Sequence, residues 1–167
     1  MDNVSLKPLK SINDHCFGCG EMNSFGIKMK FFMDEQGQKV ISVFRLPSHL
    51  AGWINLAHGG AVGTVLDEIM SWTVIYRMKR ILLTKSITID FLKPVPVEQD
   101  FRAEGRISLI KSEREIEAEG FIYDSEDRLL ARSRGIFALF SVDAARKLGF
   151  MNHALINEFE KIFSSDK

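Results

Sequence analysis

One long stretch of helical periodicity interrupts a chain whose other patterned segments have the two-residue period of β-strands. Between about Gly60 and Arg80, apolar residues recur at intervals of three and four, as they do along one stripe of an α-helix. The residues of this stripe are Val62, Val65, Leu66, Ile69, Trp72, Thr73 and Tyr76. Cations at its end suit the negative pole of a helix dipole. We therefore expect one long helix within residues 1–140.

Strand-like segments lie on both sides of this helix. Before it, two alternating runs, one beginning at Ile27 and one near Val40, flank the turn at residues 34–37 and predict a hairpin. After it come four further strand segments, of which the last runs from Leu129 to about Phe140. Small residues share one parity in the last three, which permits either the close approach of a helix or a curved, wrapped sheet. This order predicts an α+β fold, with an antiparallel sheet wrapped around one central helix.

The chain is long enough and apolar enough to form one domain. It has 167 residues, of which 46% are hydrophobic, and this suits a single buried core. We expect residues 1–142 to form the domain, with an irregular segment at 1–26. Residues 143–167 extend the same domain by an amphipathic C-terminal helix that is broken near Gly149.

Charge and hydropathy argue against several classes of function. The 22 basic and 22 acidic residues cancel, so no net field attracts nucleic acid. No segment approaches the length of apolar sequence that spans a membrane. The first residues lack the basic and apolar regions of a secretory signal, so we expect a cytoplasmic protein.

The two cysteines, Cys16 and Cys19, lie in a glycine-rich segment. One pair does not make a disulfide framework, and a Cys-x-x-Cys metal site needs further ligands, which the widely separated histidines do not supply. A thioredoxin-like redox pair would need a strand before it and a helix after it. We therefore interpret the two cysteines as buried or half-buried loop residues, and predict no metal ion and no cofactor.

His58, Gly59 and Gly60 stand at the start of the predicted helix. The first N–H groups of a helix have no partners within it and lie at the positive end of its dipole. Because glycine has no Cβ, a ligand carbonyl can approach these groups closely. Gly60 is thus a candidate oxyanion donor, with Gly59 beside it as a substrate contact. The alternative is a glycine turn that only packs the helix start, and His58 can either bind the ligand carbonyl or cap the helix.

A carboxylate, Asp67, lies two turns into the helix. It shares a face with small or weakly polar residues at spacings of three, four and seven, which leaves room for a substrate or for a second copy of the helix. These residues are Gly60, Gly63, Thr64 and Ser71. Glu68 points about 100° further round. We take Asp67 as catalytic and Glu68 and Ser71 as substrate contacts; the alternative is that both acids face solvent.

The spacing between donor and carboxylate constrains the assembly. Gly60 and Asp67 are separated by about 10 Å of helix rise, although side chains lean toward the N-terminus. A carbonyl about 1.2 Å long does not span that gap. We therefore expect the amide and the carboxylate that act on one carbonyl to come from different subunits of a homodimer, with antiparallel helices side by side. The same helix strip suits either a dimer or a tetramer.

Three motifs in order carry a resemblance to a known family. They are Cys16-Phe-Gly-Cys-Gly20 with Asn23-Ser-Phe-Gly-Ile27, then Gly52-Trp-Ile-Asn-Leu-Ala-His-Gly-Gly60 with Leu66-Asp-Glu68, and then Thr84-Lys-Ser-Ile-Thr-Ile-Asp-Phe-Leu-Lys-Pro-Val-Pro96. The chain resembles hot-dog-fold thioesterases, specifically the phenylacetate-pathway (PaaI-like) branch of the 4-hydroxybenzoyl-CoA thioesterase superfamily. It departs from that pattern at Ser24 and Asn55, where proline is usual or frequent, and in its longer C-terminal helix.

The resemblance implies an activity and further site residues. It implies an acyl-CoA thioester hydrolase, with dimeric sites and no cofactor, in which Thr84 helps to position the attacking water. We add Asn55, in the loop before the helix, to the candidate substrate contacts. Asp67 acts either as general base on water or as a nucleophile, and the residues alone leave both routes open.

Two other functions compete with this interpretation. A hot-dog dehydratase would need a catalytic histidine beside an acid in a different loop. A non-catalytic hot-dog module would bind acyl-CoA or another acyl ligand as a sensor or scaffold. No Gly-x-Ser-x-Gly motif is present, which argues against a serine esterase.

Overall fold

The computed structural model describes residues 6–164, so residues 1–5 of the predicted irregular segment and 165–167 of the predicted C-terminal helix lie outside it. The nine strands within the described residues are β1 (Lys7–Pro8), β2 (Phe32–Met33), β3 (Lys39–Arg45), β4 (Ala51–Trp53), β5 (Leu56–Ala57), β6 (Ile81–Phe91), β7 (Asp100–Ser112), β8 (Glu115–Tyr123) and β9 (Leu129–Phe140). The helices are α1 (Gly59–Met78), α2 (Val142–Leu148) and α3 (His153–Ser164).

Seven of the strands form one antiparallel sheet that packs on α1. Their order is β1-β2-β3-β7-β8-β9-β6, and β4 pairs with β5 in a separate short hairpin just before α1. The stripe predicted for the helix is its buried face, since Val65, Leu66 and Ile69 have no exposed surface. The prediction of an antiparallel sheet around a central helix is confirmed.

Small side chains let α1 lie directly on the sheet. A Cβ added to Gly105 of β7 would come within 2.5 Å of the Ile69 carbonyl oxygen, and one added to Gly120 of β8 within 3.2 Å of Met70 Cγ. Ala103 and Ala118, on the same face, are fully buried. The shared parity of small residues therefore marks the helix-facing surface, as the sequence predicts.

The first arm of the predicted hairpin is shorter than expected. Only Phe32 and Met33 pair with β3, and the alternating run from Ile27 does not join the sheet. Instead, the Ile27 and Met29 N–H groups donate to the carbonyls of Phe17 and Gly18, at 2.9 and 3.0 Å. This segment is extended but bonds to the cysteine loop, so the prediction of a strand from Ile27 is wrong for residues 27–31.

The C-terminal extension forms two helices rather than one broken helix. Gly149 ends α2 in the left-handed conformation, with φ of 67°, and α3 then buries Ile156 and Phe159 against the core. Lys10 Nζ lies 3.1 Å from Glu158 Oε2 and links α3 to the N-terminal segment. Within residues 6–164, no helix has both the length and the apolar character needed to cross a membrane.

Candidate active site

The start of α1 is capped by a side chain. His58 Nδ1 accepts a hydrogen bond from the Gly60 N–H at 2.9 Å, and the His58 N–H donates to the Leu50 carbonyl at 2.8 Å. The ring therefore pairs with one of the N–H groups that a helix start leaves without a partner. Of the two roles left open for His58, the structure shows the capping one.

The Gly59 N–H is differently placed. Gly59 is exposed, and no acceptor for its N–H is found among residues 6–164. A Cβ added there would meet only the Phe91 ring, at 3.5 Å, whereas one added to Gly60 would lie 3.0 Å from His58 Nδ1. The donor available to a ligand at the helix start is thus that of Gly59, while the Gly60 N–H is engaged by the cap.

Asp67 and Thr84 meet at the middle of the helix. Thr84 Oγ1 donates to Asp67 Oδ1 at 2.9 Å, which joins β6 to α1. Asp67 is half-buried and Thr84 is exposed. Asp67 is predicted from helix geometry and Thr84 from the family resemblance. The two residues are in direct contact in the structure.

A β-bulge aims Thr84 at the helix. Thr84 pairs with Phe137 of β9, but Ser86 pairs with the next residue, Ile136, so that Lys85 is the extra residue. Phe137 is fully buried, and cross-strand partners share a face. The bulge thus places Thr84 on the helix-facing side of the sheet, together with Ile87 and every second residue after it. Without the bulge, the two-residue period of the strand would put Thr84 on the opposite side.

The surroundings of Asp67 favour its protonated form. Partial burial raises the pKa of its carboxyl, the Thr84 hydrogen bond lowers it, and the nearby charge of Glu68 raises it further. Burial is the largest of these effects, so the pKa of Asp67 lies above its usual value. A carboxylate with a raised pKa is a stronger base when ionised.

Glu68 faces a different part of the molecule. Its Oε1 lies 3.2 Å from Cys16 Sγ, and its Oε2 accepts from Trp72 Nε1 at 3.1 Å. A Cβ on Gly18 would come within 2.2 Å of Glu68 Cγ, so the cysteine loop lies directly on this side chain. Sequence reasoning missed this contact, because Cys16 and Glu68 are 52 residues apart and no periodicity links them.

Cys16, Cys19 and Glu68 form a cluster in which burial and mutual contacts shift the pKa of each group. Burial is the main cause that raises the pKa of Glu68 to about 7. A hydrogen bond from Cys19 is the main cause that lowers the pKa of Cys16 to about 5, and the same interaction raises the pKa of Cys19. The proximity of Cys16, Cys19 and Glu68 therefore shifts the pKa of each group away from its usual value.

The remaining predicted substrate contacts lie on α1 and in the turn before it. Ser71 is half-buried on α1, one turn beyond Asp67, and Asn55 is exposed in the turn between β4 and β5. The Asn55 carbonyl accepts from the Val97 N–H at 3.0 Å. A surface depression of about 330 Å³ lies at the helix start; its lining includes Phe17 and His49 as well as His58, Gly60 and Ala61.

The fold and site define a protein with the hot-dog fold. A crystal structure of a thioesterase superfamily protein has a TM-score of 0.70 at 18% identity, over 77% of this chain and 62% of that one. The Escherichia coli PaaI protein, from the phenylacetic acid degradation operon, has a TM-score of 0.60 at 16% identity, over 69% and 81%. A hypothetical thioesterase of Streptococcus pneumoniae, solved with coenzyme A, has a TM-score of 0.58 at 17% identity, over 62% and 80%.

Part of the sequence is similar to the thioesterase superfamily. Residues 55–131 match the family model described as the thioesterase superfamily, a range that includes α1 and Thr84. Acyl-coenzyme A thioesterase THEM4 of Rattus norvegicus is 26% identical over 72 residues, or 43% of this chain. The match spans 30% of that relative, so this chain corresponds to less than a third of its length.

Proposed function

We propose that this protein hydrolyses acyl-CoA, or another acyl thioester, to a free acid and a thiol. The observation that carries the proposal is the hydrogen bond of Thr84 to the half-buried Asp67, at 2.9 Å. It joins a carboxylate to a hydroxyl group, and both residues lie within the range that matches the thioesterase superfamily. A coenzyme A ligand is supported by the Streptococcus pneumoniae neighbour, which was solved with coenzyme A.

The PaaI-like branch is the finer assignment that we propose. The order of the Cys-Phe-Gly-Cys-Gly segment, the His-Gly-Gly motif and the strand after the helix supports it, as does the similar fold of the Escherichia coli PaaI protein.

A thioester requires little activation, because its sulfur donates weakly into the carbonyl and a thiolate is a moderate leaving group. The exposed Gly59 N–H, at the positive end of the α1 dipole, polarises the carbonyl and stabilises the oxyanion. Asp67 then either removes a proton from water or attacks the carbonyl carbon itself. Thr84 holds the carboxylate and orients the nucleophile, while Ser71 and Asn55 stay predicted substrate contacts. Glu68 faces the cysteine loop instead, since its two oxygens contact Cys16 and Trp72.

Helix geometry supports a site whose two halves lie on two subunits. Gly59 and Asp67 are eight residues apart, about 12 Å of helix rise, which is even further than the separation from Gly60. One thioester carbonyl therefore takes its donor from one α1 and its carboxylate from a neighbouring copy. This is an antiparallel arrangement of helices in a homodimer, or in a tetramer built from such dimers.

An open sheet edge supports this assembly. Within residues 6–164, β6 has one strand neighbour, β9, so its other edge leaves backbone N–H and carbonyl groups available for another strand. Leu83 and Phe91 on this strand are 44% and 56% exposed. An edge strand with large apolar side chains favours pairing with a second copy, which would bring a second α1 beside the Asp67 face.

The test is release of free thiol from a panel of acyl-CoAs by the purified protein and by Asp67→Asn. We expect turnover by the wild type, and a loss of kcat/KM on the order of 10²–10⁴-fold in the variant. Tight binding without turnover in both proteins would instead favour the non-catalytic acyl-binding module. Undiminished turnover in Asp67→Asn would remove Asp67 from the mechanism.

Single-turnover hydrolysis in ¹⁸O-labelled water separates the two routes open to Asp67. Mass analysis of the peptide that holds Asp67 shows label in its carboxylate if the residue attacks the thioester. An unlabelled carboxylate shows that Asp67 acts as a general base on water.

A further inference from the structure

Three side chains with acidic protons meet where the N-terminal loop lies on α1. One ligand atom from each of Cys16, Cys19 and Glu68 lies within 4.8 Å of the other two. Cys19 is 3% exposed, and the other two are half-buried. Among residues 6–164, no lysine or arginine forms an ion pair with Glu68, so no side-chain cation compensates the cluster.

A tight turn brings the two cysteine sulfurs near each other. The Gly20 N–H closes this turn on the Cys16 carbonyl at 3.0 Å. A Cβ at Gly20 would come within 2.5 Å of the Cys16 nitrogen, so only glycine fits this turn. The turn therefore presents two sulfurs to one point, and the thiolate form of cysteine is the one that binds metal ions.

The third ligand is held by a group outside the cluster. Trp72 Nε1 donates to Glu68 Oε2 at 3.1 Å, which leaves Oε1 directed at the sulfurs, 3.2 Å from Cys16 Sγ. Outer hydrogen bonds of this kind orient the ligands of protein metal sites. The Trp72 indole takes no part in the proposed hydrolysis, because it lies on the Glu68 face of α1 and not on the Asp67 face.

We propose that Cys16, Cys19 and Glu68 bind a Zn²⁺ ion. Two thiolates and one carboxylate oxygen suit zinc, whereas harder cations such as Mg²⁺ and Ca²⁺ prefer oxygen ligands alone. Three protein ligands leave one position of a tetrahedral ion for a solvent molecule. Binding replaces the thiol protons with the metal, so the site releases protons when it loads.

The ion would act on the fold, and not on the thioester. Glu68 follows Asp67 in α1 but points about 100° away from it, so the metal lies on the loop side of the helix. There it clamps the cysteine loop to the helical turn that carries Asp67. The inference does not rest on the proposed hydrolysis, because it concerns binding and stability.

Cobalt offers a direct probe of the sulfur ligands. The full chain, stripped with a chelator and kept reduced, is titrated with Co²⁺ and then with Zn²⁺. Because the chain has two cysteines, a thiolate-to-cobalt charge-transfer band can arise only from Cys16 and Cys19. We expect the band to saturate at about one Co²⁺ per chain and to disappear when Zn²⁺ displaces the cobalt.

Neighbouring carboxylates provide a matched pair of variants. Cys16→Ser should abolish the band, and Glu68→Gln should keep it but weaken Co²⁺ binding by at least about tenfold. Asp67→Asn, one residue away on the other face, should bind Co²⁺ as the wild type does. Zn²⁺ should also raise the melting temperature of the wild type, and do so less for Glu68→Gln.

Several outcomes would overturn the proposal. One is the absence of a charge-transfer band at excess Co²⁺ in a sample whose two thiols are shown to be free by titration. Others are a band that survives in Cys16→Ser, or an equal loss of affinity in Asp67→Asn and Glu68→Gln. Cys16 and Glu68 are only half-buried, and circular dichroism checks that their variants fold, so the test does not depend on a change at the buried Cys19.

Discussion

Thr84 donates its hydroxyl hydrogen bond to Asp67 across 2.9 Å and so ties the edge strand of the sheet to the middle of the central helix. The contact opposes the effect of burial, because it lowers the pKa of a carboxyl that desolvation raises. The state of ionisation of Asp67 is therefore set by a balance in which Thr84 is the stabilising partner of the charged form.

This balance predicts the acidic limb of the pH profile. The proposed mechanism requires ionised Asp67, so kcat/KM should fall as the pH drops through the pKa of this group, which lies above the usual value for aspartate. Thr84→Val removes the hydrogen bond that lowers the pKa, so its acidic limb should move to higher pH. The measurement is kcat/KM against pH with one acyl-CoA.

Thr84→Ser is the control for this shift. Serine keeps the hydroxyl and loses only a methyl group, so its acidic limb should stay close to that of the wild type. If the valine and serine variants shifted together, the methyl group rather than the hydrogen bond would be responsible.

The two glycines at the helix start should respond differently to alanine. At Gly59 a Cβ would make ordinary contact with Phe91 at 3.5 Å, and alanine favours a helix, so Gly59→Ala should fold with an unchanged or raised melting temperature. Its methyl group obstructs the approach of a carbonyl, so kcat/KM should fall by about 10²-fold.

Gly60→Ala should show the opposite result. Its Cβ would lie 3.0 Å from His58 Nδ1, and the cap must shift to admit it, so the variant should lose stability first. Thermal denaturation and initial rates on both variants distinguish the two glycines. A loss of activity at Gly60 without loss of stability would return the donor role to the Gly60 N–H.

The cap itself has a measurable contribution to stability. His58→Ala leaves the Gly60 N–H without its acceptor, which should cost about 1 kcal/mol, or about 2–4 °C in melting temperature for a chain of this size. His58→Asn supplies another good N-cap acceptor and should restore most of the loss. If His58 also binds the thioester carbonyl, the asparagine variant will regain stability but not activity.

The central helix and the succession of longer strands along the chain could be predicted, because both depend on local periodicity. Helical spacing predicts a helix over about 60–80, and α1 spans Gly59–Met78. The predicted last strand, from Leu129 to about Phe140, coincides with β9. The strand predicted from Ile27 fails because alternation marks any extended segment, whether its N–H groups bond to a sheet or, as here, to a loop.

The arrangement of the site depends on irregularities that periodicity does not encode. An unbroken alternation would put Thr84 on the same face as Ser86 and Thr88, away from the helix, and only the bulge at Lys85 turns it toward Asp67. The meeting of Glu68 with the cysteine loop depends on tertiary packing over 52 residues. Sequence reasoning thus proposed Asp67 and Thr84, which are in contact in the structure, but did not anticipate the cluster of Cys16, Cys19 and Glu68 on another side of α1.

Mixed dimers should reveal whether one site uses two chains. In a dimer of one Gly59→Ala chain and one Asp67→Asn chain, one site receives both defects and the other receives neither. Such dimers, co-expressed with two tags and purified through both, should recover about half of the wild-type activity per dimer, although each parent is nearly inactive. Activity no higher than that of the parents would place the donor and the carboxylate of a site on the same chain.

Thr84 provides the matched control, because its hydrogen bond to Asp67 lies within one chain. A dimer of one Asp67→Asn chain and one Thr84→Val chain carries one defect in each site, since both residues belong to the carboxylate half. Its activity should equal the mean of the two parent dimers. Suppose that activity recovers in the dimer of Gly59→Ala and Asp67→Asn chains but not in the dimer of Asp67→Asn and Thr84→Val chains. The donor and the carboxylate of one site must then come from different subunits, and Thr84 must come from the same subunit as Asp67.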